Sequence, residues 1–365
     1  MAHVRRASNA KGWQARYRDP SGRERSRSFP TKREAELFLV RQSADIQRGE
    51  YLDPRLGRTT VGELVEEWLA TAVHLKPKTR LGYESILPNR ILPRFGAVPV
   101  ASINQLEVRR FVAGLVQAGA EPGTVRNTFN VLRLVFGLAV GAGAIRVNPC
   151  DGVRMPRSVH QEMLFLTPAE LLRLADAIRA QYRTLVLFAG YTGLRAGEIG
   201  ALRAGRIDLG RGTAEVRESL AEVNGRLVFG PTKTYANRTV RLPRFLCEEM
   251  AVHLSGRCHQ PDALVFTSPA GAALRHNLFY VRHFKPAVAA AGLSPRLRFH
   301  DLRHSCAAIL IAQGAHPRAI MERLGHSTIQ VTLDRYGHLF PGLDETLTDG
   351  LERAYQDSRL AEFDR

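Results

Sequence analysis

The sequence predicts a mostly α chain with small β-sheets, an α+β protein built in several parts. Three observations predict it. Apolar residues recur at helical spacing through most of residues 60–203 and 243–340. Strand-like alternation is confined to two stretches, one near Trp13–Arg27 and one over about 206–242. And 365 residues, 44% of them hydrophobic, suffice for two or three buried cores.

Residues 1–56 read as a β-rich module, a three-stranded sheet plus a helix. In Trp13-Gln14-Ala15-Arg16-Tyr17-Arg18, residues Trp13, Ala15 and Tyr17 share one face. Asp19-Pro20-Ser21-Gly22 is a turn, and Arg23, Arg25 and Arg27 alternate along the returning strand. Thr31-Lys32-Arg33-Glu34 is a capping box that opens a helix to about Gln47. A helix under one sheet face leaves the other free and basic, and such a sheet fits a DNA major groove. Arg16, Arg18, Arg25 and Arg27 are therefore candidate DNA-binding residues, with a solvated hairpin as the bland alternative. Residues 48–58 read as a linker.

Residues 59–150 read as a helical domain. Thr60 to Glu63 is a second capping box, and Val61, Leu64, Val65, Trp68 and Leu69 form an apolar stripe behind it. Further helices are expected over about 79–93, 102–118 and 123–142, with Pro88 interrupting the first. These stripes are core, not a cofactor site. Lys76, Lys78 and Arg80 gather near a helix start and are candidates to meet phosphates. Ile145 to Pro149 closes this part, and residues 151–163 link onward.

Residues 164–350 form the last large part. Thr167-Pro168-Ala169-Glu170 combines an N-cap, a proline at the first helical position and a capping glutamate. Helices follow to about 203. A small antiparallel sheet occupies 206–242, turning at Asn224-Gly225, and helices return over 243–255 and 276–291. The end of the chain is an amphipathic stretch of mixed charge, with 351–365 as its tail.

The net charge of +17 and a pI near 10.4 favour a polyanionic partner. A GC-rich genome accounts for forty-six arginines against six lysines, but not for the excess of basic over acidic residues. Cys150, Cys247, Cys258 and Cys306 show no zinc spacing and read as reduced thiols. The basic N-terminus has no apolar segment behind it, so no signal peptide is expected. No stretch is long and apolar enough to span a bilayer, and a cytoplasmic protein is expected.

The chemistry gathers near the end of the chain. His300-Asp301-Leu302-Arg303-His304 opens a helix whose apolar positions are Leu302, Cys306, Ile309 and Leu310, with Gly314 as its stop. Pro317 opens another helix that ends at Gly325. Ser327 is expected to cap a last short helix carrying Tyr336. Planar guanidinium, imidazoles and a phenol suit phosphate chemistry: a fork for the oxygens, proton carriers and a nucleophile. Thr192-Gly193-Leu194-Arg195-Ala196-Gly197-Glu198-Ile199 supplies a second arginine in a turn. Pro231-Thr232-Lys233-Thr234 lies between two strand-like runs. A lysine kept in so arginine-rich a chain suits a task arginine cannot do, such as giving up a proton.

These elements, Thr192 to Ile199, Lys233 with Arg238, His300 to His304, Leu324 to His326 and Tyr336-Gly337-His338, resemble the tyrosine recombinase (phage integrase) family in order and spacing. The resemblance implies an arm-type DNA-binding module, a helical core-binding domain and a mixed α+β catalytic domain. It implies catalysis by Arg195, Lys233, His300, Arg303, His326 and Tyr336. The arginines would grip phosphate oxygens, Tyr336 would form a 3′-phosphotyrosyl bond, and Lys233 would protonate the departing 5′ oxygen. His326 would orient the phosphate and His300 would move a proton near the tyrosine, with Glu198 as structural support. No metal or other cofactor is implied. The implied partners are double-stranded attachment sites, a homotetramer, and an excisionase or host DNA-bending factor, with no membrane.

Rival readings are weaker. His300 and His304 are spaced as in H-E-x-x-H zinc sites, but Asp301 replaces the glutamate and Arg303 opposes a metal. An inactive DNA-binding relative would not keep the full residue set. A type IB topoisomerase shares the chemistry, yet the two N-terminal parts favour a site-specific recombinase. The arm-like module favours an integrase over a chromosome-dimer resolvase.

Overall fold

In a computed structural model of the chain, residues 2–6, 12–49, 51–157, 162–232, 237–255, 260–340, 348–356 and 359 are described. The chain divides into two compact units, residues 1–160 and 161–365.

The first unit opens with strands β1 (His3–Arg6), β2 (Trp13–Arg18) and β3 (Glu24–Phe29), paired antiparallel in that order. Helix α1 (Lys32–Gln47) starts at the Thr31/Glu34 capping box and packs on the sheet through Ala35 and Leu39, against Ala15 and Tyr17. Register decides which arginines lie under the helix. Tyr17 stands opposite Arg25 and Ala15 opposite Arg27, so both arginines share the covered face. Arg25 donates to Asp19 at 2.8 Å and Asp53 at 2.6 Å, and Arg27 lies over the rings of Phe29 and Phe38, 5.4 Å from each centroid. The expectation that Arg25 and Arg27 belong to a free basic face is therefore corrected. That face carries Arg5, Arg16 and Arg18. Half of the expected linker is also tied down: Tyr51 packs edge-on to Tyr17, and Asp53 holds Arg25.

A separate core fills the rest of this unit. It is built by α2 (Val61–Thr71), α3 (Pro77–Ile86), α4 (Leu92–Phe95), α5 (Gln105–Gln117) and α6 (Pro122–Gly141). The Thr60/Glu63 capping box starts α2. Pro88 sits in a π turn, Leu87–Ile91, between α3 and α4; the widened turn keeps Leu87 and Ile91 buried where proline removes a helical hydrogen bond. Lys78 is exposed in the first turn of α3, whereas Arg80 donates to Glu84 at 2.8 Å.

In the second unit, α7 (Pro168–Ala177) and α8 (Arg183–Thr192) lead to the short α9 (Ala196–Gly200). The region expected as one small sheet forms two. β4 (Ile207–Asp208), β5 (Thr213–Val216) and β8 (Arg238–Arg241) make a three-stranded sheet in the order β4-β5-β8. β6 (Glu218–Val223) and β7 (Arg226–Pro231) form a separate hairpin, turning at Asn224 and Gly225, both at positive φ. Helices α10 (Arg244–Ser255), α11 (His276–Phe279) and α12 (Lys285–Ala290) follow. Then come α13 (Asp301–Ala312), α14 (Pro317–Leu324) and α15 (Ile329–Tyr336). Leu185, Phe188, Phe266, Phe279, Phe284 and Leu302 lie in the main core. A smaller cluster of Ala307, Ile311, Ile320 and Leu324 encloses Tyr336. The cap of α15 is Thr328, not Ser327, and its side chain makes no cap hydrogen bond. Residues 348–356 are helical and exposed.

Candidate active site

Two left-handed glycines set the frame. Gly193, at φ 68°, ends α8 and turns the chain so that Arg195 stands at the N-cap of α9. Gly325, at φ 66°, ends α14 in the same way and delivers His326. The last carbonyls of a helix lack intrahelical donors. Here three guanidinium groups satisfy them: Arg238 Nε donates to Arg323 O at 3.1 Å, Arg303 Nη2 to Leu324 O at 2.7 Å, and Arg195 Nη2 to Gly325 O at 3.0 Å. Positive charge at a helix C-terminus also complements its dipole.

Arg303 rises from the first turn of α13 and is 2% exposed. Its Nη1 donates to Gly193 O at 2.6 Å, so one side chain ties both glycine turns together. Burial pushes its pKa down to about 9, with Arg195 nearby adding to the effect, and it stays charged at neutral pH. Arg195 is anchored by Glu198, which accepts from its Nη1 at 2.9 Å and from its backbone N–H at 2.9 Å. Glu198 is itself buried. Burial works to raise its pKa, but Arg238 and Arg195 outweigh that, and the net direction is down.

Tyr336 closes the group from α15. Its side chain is fully buried, and its hydroxyl shares a 2.8 Å hydrogen bond with His304 Nδ1. Burial raises the phenol's pKa, while Arg303 and Arg335 work against that. His326 lies parallel to the Tyr336 ring with centroids 6.3 Å apart, and its Nδ1 shares a 2.8 Å hydrogen bond with the Thr332 hydroxyl. His300 meets His304 edge-on at 5.0 Å. Desolvation, chiefly, lowers the pKa of His300 and His304 to about 4 and that of His326 to about 3, so all three are neutral at pH 7.

Five of the six expected site residues thus meet around the α8–α9 turn, the start of α13 and the α14–α15 turn. The sixth, Lys233, lies outside the described residues. Arg16 and Arg18 lie on the open face of the N-terminal sheet, Arg16 with a 3.0 Å ion pair to Glu24. Lys76 N-caps α3, beside Lys78 and Arg80. Three residues escaped the sequence reasoning. Arg238 was read only as a companion of Lys233, His304 only as the end of the His300–His304 stretch and half of a zinc spacing, and Thr332 only as a helix member. Thr332 lies one helical turn before Tyr336, a spacing visible in the sequence, whereas the meetings of His304 with Tyr336 and of Arg238 with Glu198 join elements far apart in the chain and leave no local signal.

Profile comparison finds the phage integrase family over residues 164–342 and the N-terminal SAM-like domain of phage integrases over residues 60–116. The chain is 31% identical, over 97% of its own length and 96% of the relative's, to a putative prophage phiRv2 integrase of Mycobacterium tuberculosis. The chain belongs to the phage integrase family. It is a site-specific tyrosine recombinase. Solved integrase structures share the recombinase's fold. One is the Tn1549 transposon integrase in complex with a circular intermediate DNA, with a TM-score of 0.71 at 20% identity over 80% of this chain and 99% of that one. Another is a lambda integrase tetramer bound to a Holliday junction, with a TM-score of 0.55 at 19% identity over 89% and 92%.

Proposed function

We propose that this recombinase integrates and excises a phage or other mobile element, with Tyr336 as nucleophile and Arg195, Arg303, His300, His326 and Lys233 as the other catalytic groups. The observation that carries this reading is Arg303. One buried guanidinium joins the turns that present Arg195 and His326, beside the phenol of Tyr336. A phosphodiester resists attack because its oxygens are already negative, and cations offset the charge that builds in the transition state.

The Tyr336 oxygen attacks the scissile phosphorus and forms an Oη–P bond, its proton passing to a neighbouring imidazole, His300 in the family's pattern. The P–O5′ bond breaks, its electron pair stays on O5′, and Lys233 supplies the proton. The phosphotyrosyl bond keeps the energy of the phosphodiester, so a second 5′ hydroxyl reverses the step without ATP. Residues 1–56 bind arm-type DNA, residues 59–150 grip the core site with Lys76, Lys78 and Arg80 near phosphates, and residues 164–350 cleave. The enzyme acts in the cytoplasm as a homotetramer on two duplexes through a Holliday junction, the state in which lambda integrase has been captured. The tail, 351–365, docks on a neighbouring protomer, and an excisionase or host DNA-bending factor sets direction.

The test is a covalent adduct. Purified protein is incubated with nicked duplexes from the DNA flanking its own gene, with and without chelator, beside Tyr336→Phe. A chelator-resistant protein–DNA adduct absent from the variant is expected. Tight binding without any adduct on several such duplexes would overturn the reading.

A further inference from the structure

Three imidazoles stand near Tyr336, and they are not equivalent. His326 Nδ1 is engaged by Thr332, and its ring lies parallel to the tyrosine ring. His300 is exposed and meets only the edge of the His304 ring among the ring contacts of this cluster. His304 is 4% exposed, lies one helical turn into α13, and its Nδ1 is 2.8 Å from the Tyr336 oxygen. The ring planes of His304 and Tyr336 stand at 63°, with centroids 5.7 Å apart.

We propose that His304 holds the Tyr336 hydroxyl in its attacking orientation and takes its proton as the phosphotyrosyl bond forms. The proposal rests on Tyr336 being the nucleophile, and it moves the proton acceptor from His300 to the residue one turn further on. In the resting site the neutral His304 carries its hydrogen on Nε2, so Nδ1 accepts and the phenol donates. As Oη bonds to phosphorus, its proton passes to Nδ1, while the P–O5′ electron pair stays on O5′ with the proton from the general acid. In rejoining, the 5′ hydroxyl gives its proton back to the general acid as O5′ attacks phosphorus, the Oη–P bond breaks, and the proton returns from Nδ1 to Oη. Arrival of an anionic phosphate raises the basicity of a buried imidazole, which makes the acceptor stronger when substrate is bound.

The charged and titratable groups around His304 come from every neighbouring element. They are Arg298 before α13, His300, Asp301 and Arg303 at its start, His326 in the α14–α15 turn, and Arg335 and Tyr336 on α15. Variants of His300 and His304, the two imidazoles that meet edge to edge beside the phenol, separate their contributions to a pH profile.

The experiment compares the full-length wild type with His304→Ala, His304→Asn and His300→Ala. It follows single-turnover adduct formation on the nicked duplex across pH, with DNA affinity measured separately. Loss of a general base costs about 100-fold or more. His304→Ala is expected to fall by that amount with unchanged DNA affinity. His304→Asn, whose amide oxygen replaces Nδ1 as acceptor, is expected to recover about tenfold of the loss and to lose the acid limb of the profile, because it orients the phenol but takes no proton. A duplex with a 5′-bridging sulfur, whose leaving thiolate needs no proton, relieves Lys233→Ala and leaves the His304 defect in place. Should His304→Ala fail to fold, the Asn variant carries the test. Cleavage by either His304 variant within roughly threefold of wild type, or an acid limb that disappears in His300→Ala and persists in His304→Asn, would overturn the proposal. A wild type that forms no adduct would instead overturn Tyr336 as nucleophile, and this inference with it.

Discussion

Glu198 and Arg238 are bonded at two points across forty residues of sequence, Nη1 to Oε1 at 3.0 Å and Nη2 to Oε2 at 2.7 Å. The same carboxylate also holds Arg195, so one buried anion fixes an arginine from the α8–α9 turn and another from β8. Removing one partner of such a pair leaves the other charge buried and uncompensated, at a cost of about 3–5 kcal/mol. Glu198→Gln is therefore expected to lower the thermal midpoint by several degrees and to abolish most cleavage, since Arg195 loses its anchor. Differential scanning calorimetry beside the adduct assay checks both. A variant of wild-type stability and activity would show that Arg195 is positioned by other contacts.

Arg303→Lys tests the frame from the opposite side. Arginine spans Gly193 O and Leu324 O from two nitrogens, and in the proposed reaction its remaining N–H groups serve the phosphate. An ammonium is a single point and does not reproduce that fork. Adduct formation is expected to fall by about 100-fold or more, the scale set by losing one transition-state donor. DNA affinity is expected to change little. Gel-shift titration and single-turnover cleavage on the same preparation separate the two. Equal losses in binding and cleavage would mean that Arg303 serves the bound state generally and not the transition state.

Helix starts were legible because their signals are local. Thr31/Glu34, Thr60/Glu63 and Thr167/Glu170 all form the capping boxes their spacing predicts. Most of the site was legible too, because its residues lie beside glycine turns and helix starts that the sequence marks. The rest depends on packing. Alternation along β3 correctly put Arg25 and Arg27 on one face, but only the register against β2 tells that this face is covered by α1. The bond between His304 and Tyr336 requires α13 and α15 to pack at one height, which no spacing within either helix records. Arg238 reaches Glu198 through the fold of β8 against the α8–α9 turn, again beyond local reading.

The corrected faces of the N-terminal sheet make opposite forecasts for two arginines. Arg25 is used inside the module, between Asp19 and Asp53, and Arg18 is exposed on the open face. Each phosphate contact contributes about 0.9 to the slope of log affinity against log salt. Arg18→Ala is expected to reduce that slope for arm-type DNA by about one and to leave stability unchanged. Arg25→Ala is expected to loosen the sheet against Asp19 and Asp53 while leaving the slope of the folded protein intact. Fluorescence anisotropy from low to high salt, with a urea melt of each variant, decides. A reduced slope in Arg25→Ala with normal stability would return that residue to the DNA-binding face.

The buried imidazoles are expected to make the second unit acid-sensitive. In the folded chain the His304 pKa lies at about 4, pushed down chiefly by burial, against 6.5 for a free histidine. Between those values the unfolded chain binds more protons than the folded one, so stability falls as pH falls. The contribution is whole above pH 6.5 and is lost progressively from there to pH 4. His326 acts in the same sense, and His300 less so because solvent screens it at its exposed position. For His304 the shift corresponds to about 3 kcal/mol at most. Urea midpoints are expected to drop steadily from pH 7 to pH 5, and His304→Gln, which keeps a polar side chain without titrating, is expected to flatten part of that drop. The comparison matters because a chain of net charge +17 also weakens in acid through general repulsion, which the substitution leaves in place. Identical slopes for wild type and variant would assign the acid sensitivity to that repulsion and leave His304 without a share in it.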